Sequence, residues 1–224
     1  MGPKYGYYPK LSKSILVLKK TALMAEAKQL LADTGVQISC HGQRHLRAAI
    51  GSADFRCKYI TSKGGKCIND LSQLAKCALE EPQAAALVAY TKSICNRWTF
   101  IRRTISIIKD LFLRLEDCIR NVFIPSLIER TVSDLETQML SLPVRFGGMG
   151  LTNPVETADR EYSSSRAVTA SLSQLILQQD QDISHYDKQR TANIIKGIKS
   201  SKENYLSEKF QDLANSIRDN SLKR

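Results

Sequence analysis

The sequence has little of what marks a known chemistry. Its 224 residues contain no Gly-x-Ser-x-Gly elbow, no Gly-x-x-x-x-Gly-Lys loop and no His-Glu-x-x-His helix, which excludes the commonest hydrolase, phosphate-loop and zinc-protease signatures. Six cysteines (Cys40, Cys57, Cys67, Cys77, Cys95, Cys118) are scattered without a single CxxC pair. The grouping of Cys40, His41, His45 and Cys57 matches no common zinc spacing, because structural zinc takes its ligands as two close pairs. The cysteines therefore read as reduced thiols packed as small apolar residues. No apolar run approaches the roughly 18 to 20 residues that span a bilayer, and the first thirty residues lack a signal-peptide core. The expectation is an intracellular protein without a membrane partner, with nucleus and cytoplasm left open. Glu80-Glu81 and Glu116-Asp117 are adjacent acids, but neighbours on a helix face different directions, so they read as solvated charge.

What the chain does have is a core and an uneven charge. Hydrophobic residues make up 42% of it, which argues against disorder and for one large domain or a small unit with a helical extension. The net charge is +11, and it is segregated. Residues 1–66 hold 12 Lys and Arg against 3 Asp and Glu, residues 67–185 hold 12 against 14, and residues 186–224 hold 9 against 5. Concentrated positive charge favours a polyanion, because neutralising phosphates releases counterions. A solvated lysine-rich face is the plainer alternative.

The pattern of elements changes along the chain. Ser14–Leu18 is an apolar run of strand length closed by Lys19 and Lys20, and Thr21 can cap a helix carrying Leu23, Ala27, Leu30 and Leu31, stopped at Gly35. Val36–Cys40 and Arg44–Ile50 read as strands joined by a turn at His41-Gly42-Gln43. From Ala53 onward the periodicity is helical, with a weak point at Gly64-Gly65 and a stripe at Ile68, Leu71, Leu74, Ala75, Ala78 and Leu79. After Pro82 a second stripe runs through Ala84, Leu87, Val88, Thr91, Ile94, Cys95 and Trp98, followed by Ile101, Ile105 and Ile108, and then Leu115, Cys118, Ile119, Val122 and Phe123. Trp98 continues its stripe and reads as core rather than as a platform for bases. Ser133 with Glu136 is a capping box, and Asn153-Pro154 opens a longer helix. Ile194, Ile195, Ile198, Leu206, Phe210, Leu213 and Ile217 place a peripheral amphipathic helix or helix pair in a basic tail. The fold class expected is α+β, mainly α: a strand-helix-hairpin unit over 1–52, a helical bundle over 53–182 and the tail over 183–224.

Five segments in this order, GPKYGYYPKLSKSILVLKK, GVQISCHGQRHLRAAIGS, EEPQAAALVAYTKSICNRWTFIRRTI, LEDCIRNVFIPSLIER and LPVRFGGMGLTNP, resemble the end of the palm and the thumb of a retroelement reverse transcriptase of the non-LTR, retrotransposon type. The resemblance covers residues 2 to about 178. It implies that 1–52 is the last part of a palm, that 53–182 is a thumb-like bundle tracking an RNA/DNA primer-template duplex, and that Lys13 lies near the phosphates of an incoming nucleotide. It implies duplex phosphate contacts from Arg97, Arg102, Arg103 and Arg145 in the thumb, and contacts to the primer end from Arg44 and His45, with Lys19 and Lys20 beside them. Gly147, Gly148 and Gly150 next to Arg145 either present backbone N–H groups to a phosphate or form a structural turn. Arg47 stands where the family usually has glycine, which puts the hairpin in question.

The family polymerises with Mg2+ held by paired aspartates. No adjacent Asp-Asp pair occurs in this sequence. In the family those aspartates lie upstream of a segment like GPKYGYYPK, so the resemblance implies a truncated RNA-directed DNA polymerase. Alone it is expected to bind no metal and to be inactive, with the missing N-terminal polymerase portion as a candidate partner. The alternative is a helical protein-interaction module derived from a retroelement thumb, without a nucleic-acid role.

Overall fold

The computed structural model describes residues 10–106, 108–178 and 188–222. The opening Gly-Pro-Lys-Tyr-Gly-Tyr-Tyr-Pro segment, on which part of the resemblance rests, lies outside the described residues. The architecture is α+β and mainly helical, and the chain divides into two compact units, 1–63 and 64–224.

The first unit is a β-α-β element followed by a hairpin. A 3-10 turn at Leu11–Lys13 leads into β1, Ile15–Val17; a second, Thr21–Leu23, opens α1, Met24–Leu30. β2, Gln37–Ser39, returns parallel to β1, with Ile15 opposite Gln37 and Val17 opposite Ser39. Gly35 makes the turn between helix and strand at φ 71°, a left-handed value that a Cβ disfavours. Of the apolar stripe expected on α1, only Ala27 is buried, and Leu30 is 74% exposed. The helix has two turns, and Leu23 falls in the 3-10 turn before it, out of helical phase.

Ser39 organises the next change of direction. Its hydroxyl accepts from the N–H groups of His41 (3.3 Å) and Gly42 (3.1 Å) and donates to the Gly42 carbonyl (3.2 Å). β3, Gly42–His45, then pairs antiparallel with β4, Ala48–Gly51, with Gln43 opposite Ile50 and His45 opposite Ala48. This corrects the sequence reading, which put the turn at His41-Gly42-Gln43 and one strand from Arg44 to Ile50. The turn is Leu46-Arg47, at φ 45° and 67°. Two consecutive left-handed residues are the signature of a type I′ loop, which matches the twist of the flanking strands and normally selects Asn or Gly. The phenolic hydroxyl of Tyr59 donates to the Arg47 carbonyl at 2.6 Å and holds the loop from outside.

α2, Ala53–Ala78, begins in the first unit and ends in the second. It runs unbroken through Gly64-Gly65, because a glycine costs a helix interior only about 1 kcal/mol relative to alanine. Cys67, Leu71, Ala75 and Ala78 are buried along it, while Leu79, just past its end, is 59% exposed.

The helical unit then departs from 3.6-residue periodicity twice. Ala84–Ile94 is π-helical and continues into α3, Cys95–Thr104; Ile119–Phe123 is π-helical between α4, Leu113–Cys118, and α5, Ile124–Ile128. Hydrogen bonds in a π-helix reach one residue further than in an α-helix, so the inward face is redistributed. Ala85, Ala86, Tyr90, Ile94 and Trp98 are buried, whereas Ala84, expected inside, is exposed. In the second segment Ile119 and Phe123 are buried and Val122 is 41% exposed. The side chains of Leu87 and Val88 lie outside the described residues. Tyr90 stacks on Phe123 at 5.1 Å, so the two π-helical segments meet at this ring pair. Trp98 meets Phe112 edge-to-face at 5.2 Å, and Ile101, Ile105 and Ile108 are buried, although α3 ends at Thr104 and the last two lie beyond it rather than on a helical stripe.

The remaining helices start where the sequence places their caps. α6, Asp134–Ser141, opens on the capping box: the Glu136 N–H donates to the Ser133 hydroxyl and the Ser133 N–H to the Glu136 carboxylate at 2.8 Å. α7, Pro154–Leu177, opens on Asn153, whose side chain accepts from the N–H groups of Val155 and Glu156. α8, Lys188–Leu222, lies against α7 and α6, with Leu213 buried and the ring of Phe210 5.5 Å from that of Phe146. No described helix is long and apolar enough to cross a membrane.

Candidate nucleic-acid interface

The cations of the first unit are placed by where its strands end. Lys13 closes the 3-10 turn before β1, Lys19 and Lys20 follow β1, and Arg44 and His45 are the last two residues of β3. Charged side chains at strand ends keep their heads in water. All five are exposed. Among the described residues none of the five makes an ion pair, and Arg47 and Lys58 are exposed as well.

The arginines of the helical unit stand differently. Arg97 on α3 pairs with Asp70 on α2 at 2.6 Å, and Arg103 pairs with Glu161 on α7 at 2.9 Å. Arg145 is held by Glu203 on α8, its Nε donating at 3.2 Å. Arg102 is inside: only 4% exposed, it donates to the hydroxyls of Thr157 on α7 and Thr99 on its own helix (3.2 Å for the latter). Burial pulls its guanidinium below the ordinary arginine value. Exposed pairs of this kind contribute about 0–1 kcal/mol to stability, but they spend the charge inside the chain. Trp98 is 4% exposed, and its indole N–H is buried without a partner.

The glycine-rich loop after α6 resolves to a structural turn. Gly147 donates its N–H to the Val144 carbonyl, Gly148 to Pro143, Met149 and Leu151 to Leu140, and Gly150 to Leu142. These N–H groups are consumed by the chain's own carbonyls and none is left to cradle a phosphate. A Cβ on Gly148 would lie 2.1 Å from the Leu142 carbonyl oxygen, which explains glycine there.

Sequence reasoning missed Glu116. Read as solvated, it is partly buried beside a cleft of about 560 Å3 between α4, α6, α7 and α8, and its Oε2 has no hydrogen-bond partner. The signal was its place between Leu115 and Ile119, both buried. Burial pushes its carboxyl up to about 7, with Glu156 adding to the effect and Arg120 and Lys209 opposing it. A carboxyl whose folded value lies above its unfolded one binds its proton more tightly in the folded state. Its contribution is present below the ordinary carboxylate range and is lost as pH rises through about 7. Melting curves from pH 5 to pH 8 should lose roughly 1–2 kcal/mol of stability, a figure reduced for partial solvent screening, and Glu116→Gln should flatten that decline.

None of the six cysteines forms a disulfide. Among the described residues no three of His, Cys, Asp and Glu come together in an arrangement that could hold a metal ion. Comparison with protein-family models, curated proteins and solved structures returned no match.

Proposed function

We propose that this chain is the palm-end and thumb portion of a retroelement-type reverse transcriptase that binds an RNA/DNA primer-template duplex without reading its sequence. The observation that carries the reading is the contrast between the nominated cations: Lys13, Lys19, Lys20, Arg44 and His45 are exposed and make no ion pair among the described residues, while the nominated arginines of the helical unit are held by Asp70, Glu161, Glu203 and threonine hydroxyls. The proposed duplex-facing residues are therefore Lys13, Lys19, Lys20, Arg44 and His45, at the ends of β1 and β3. The ordered segments of the sequence support the family, and the absence of an adjacent Asp-Asp pair makes the role binding rather than polymerisation. The Mg2+ ions of the intact family belong with those aspartates. The interaction-module alternative would use the apolar face of α8, but Leu213 and Phe210 of that face are already engaged within the chain.

The test is a titration of the full chain with an RNA–DNA hybrid between about 50 and 200 mM salt. Four or five phosphate contacts give a slope of log K against log salt near −4, so affinity should fall roughly 10²-fold to 10³-fold over that range. Binding indifferent to salt, or confined to one sequence, would sink the proposal.

A further inference from the structure

A second cleft, of about 270 Å3, opens where α3, α7 and α8 meet, and five cationic side chains line it against two carboxylates. Both carboxylates are already committed. Glu161 accepts from Arg103, and Glu156 accepts from Tyr205 and, at 2.8 Å, from Lys209. Arg160 is stacked over the Tyr205 ring at 4.3 Å, and Lys202 is exposed; among the described residues neither makes an ion pair. Beneath them lies Arg102, 96% removed from solvent.

The partners of Arg102 are the informative part. Thr157 donates its hydroxyl hydrogen to the Asn153 carbonyl and Thr99 donates its own to the Cys95 carbonyl, so toward Arg102 both act only as neutral acceptors. Its Nε has no partner. Among the described residues no carboxylate forms an ion pair with it. A buried charge met only by neutral dipoles is costly, and buried charges in proteins are paired for that reason. Glu161 is the carboxylate that acts on Arg102, but it forms no ion pair with Arg102 and is already held by Arg103, and the space next to the guanidinium is a cleft lined by five cations and two carboxylates.

We propose that this cleft binds a phosphate group, with Arg102 as the buried counter-charge on its floor and Arg160 and Lys202 closing on the anion from α7 and α8. The planar guanidinium suits a tetrahedral oxyanion better than chloride. None of the cations invoked in the duplex surface lines this cleft. The phosphate belongs either to a nucleic-acid backbone or to a small phosphorylated molecule.

The experiment is a thermal melt of the full chain with inorganic phosphate, against chloride of matched ionic strength. Phosphate at about a hundred times its Kd should raise Tm by roughly 5 °C or more, and Lys202→Ala, an exposed position, should weaken the apparent affinity at least about fivefold. Arg102→Met should abolish the phosphate-dependent shift; if that variant fails to fold, Lys202→Ala and Arg160→Ala still decide the question. Competition between phosphate and an RNA–DNA hybrid, lost in Lys202→Ala, would assign the phosphate to a nucleic-acid backbone. Phosphate stabilisation with no competition would assign it to a small molecule. No shift beyond that given by chloride, or an equal shift in the wild type and Lys202→Ala, would overturn the site.

Discussion

Replacing Lys19, Lys20 and Arg44 together by glutamate is expected to weaken duplex binding by roughly 10²-fold or more and to flatten the salt dependence by about three units of slope. The size follows from the placement of these side chains. Each is exposed at a strand end and makes no ion pair among the described residues, so its charge is available to a phosphate, and reversal replaces attraction by repulsion. The same reasoning predicts a weak effect from Arg97→Ala or Arg103→Ala, because each of those guanidinium groups already faces a carboxylate at 2.6 or 2.9 Å. Anisotropy titrations at several salt concentrations measure both. A larger loss from the helical-unit arginines than from the strand-end triple would move the interface to the bundle.

The largest effect on stability is expected from Phe123→Ala. Phe123 has no exposed surface and stacks on Tyr90, itself 2% exposed, with an interplanar angle of 19°. Truncating a buried phenylalanine costs about 3–5 kcal/mol, through lost transfer energy and the cavity left behind, and the stacked partner adds to it. That is a large share of the roughly 5–15 kcal/mol by which a domain is stable. Denaturant titration should show the midpoint falling steeply with the slope unchanged. Leu113→Ala, at a position 54% exposed in the same unit, should stay within about 0.5 kcal/mol.

Much of this fold was legible because it is written locally. The capping box of Ser133 and Glu136 and the Asn153-Pro154 start are completed within four residues, so sequence alone fixed where α6 and α7 begin. The β1-α1-β2 order was readable from run length and from Gly35. The hairpin turn was not, because Leu46 and Arg47 are neither Gly nor Asn, and the glycine that drew attention, Gly42, sits inside a strand. The π-helical stretches were also hidden, since a stripe counted at helical spacing assumes 3.6 residues per turn. In the candidate sites, the exposure of Lys19 and Lys20 followed from their position after the apolar run Ser14–Leu18, whereas Arg44, read as opening a strand, lies near the end of one. The pairings of Arg102 with Thr157, Arg103 with Glu161 and Arg145 with Glu203 did not follow from the sequence, because each spans more than fifty residues and pairing over that distance is a product of packing.

The meeting of two π-helical segments at Tyr90 and Phe123 bears on how the chain tolerates changes in length. A π-helical stretch is a helix with one residue more than the flanking α-turns need, so the helices on either side keep their inward faces only while the surplus is absorbed. Removing a single residue between Ala84 and Ile94, or between Ile119 and Phe123, converts the stretch to α-helix and leaves both flanks in phase. The same deletion in the middle of α7, which has no surplus, rotates everything beyond it by about 100° and turns the buried side of the helix toward water. A library of single-codon deletions, sorted for folded protein, should therefore retain members at these two segments and lose them along α7.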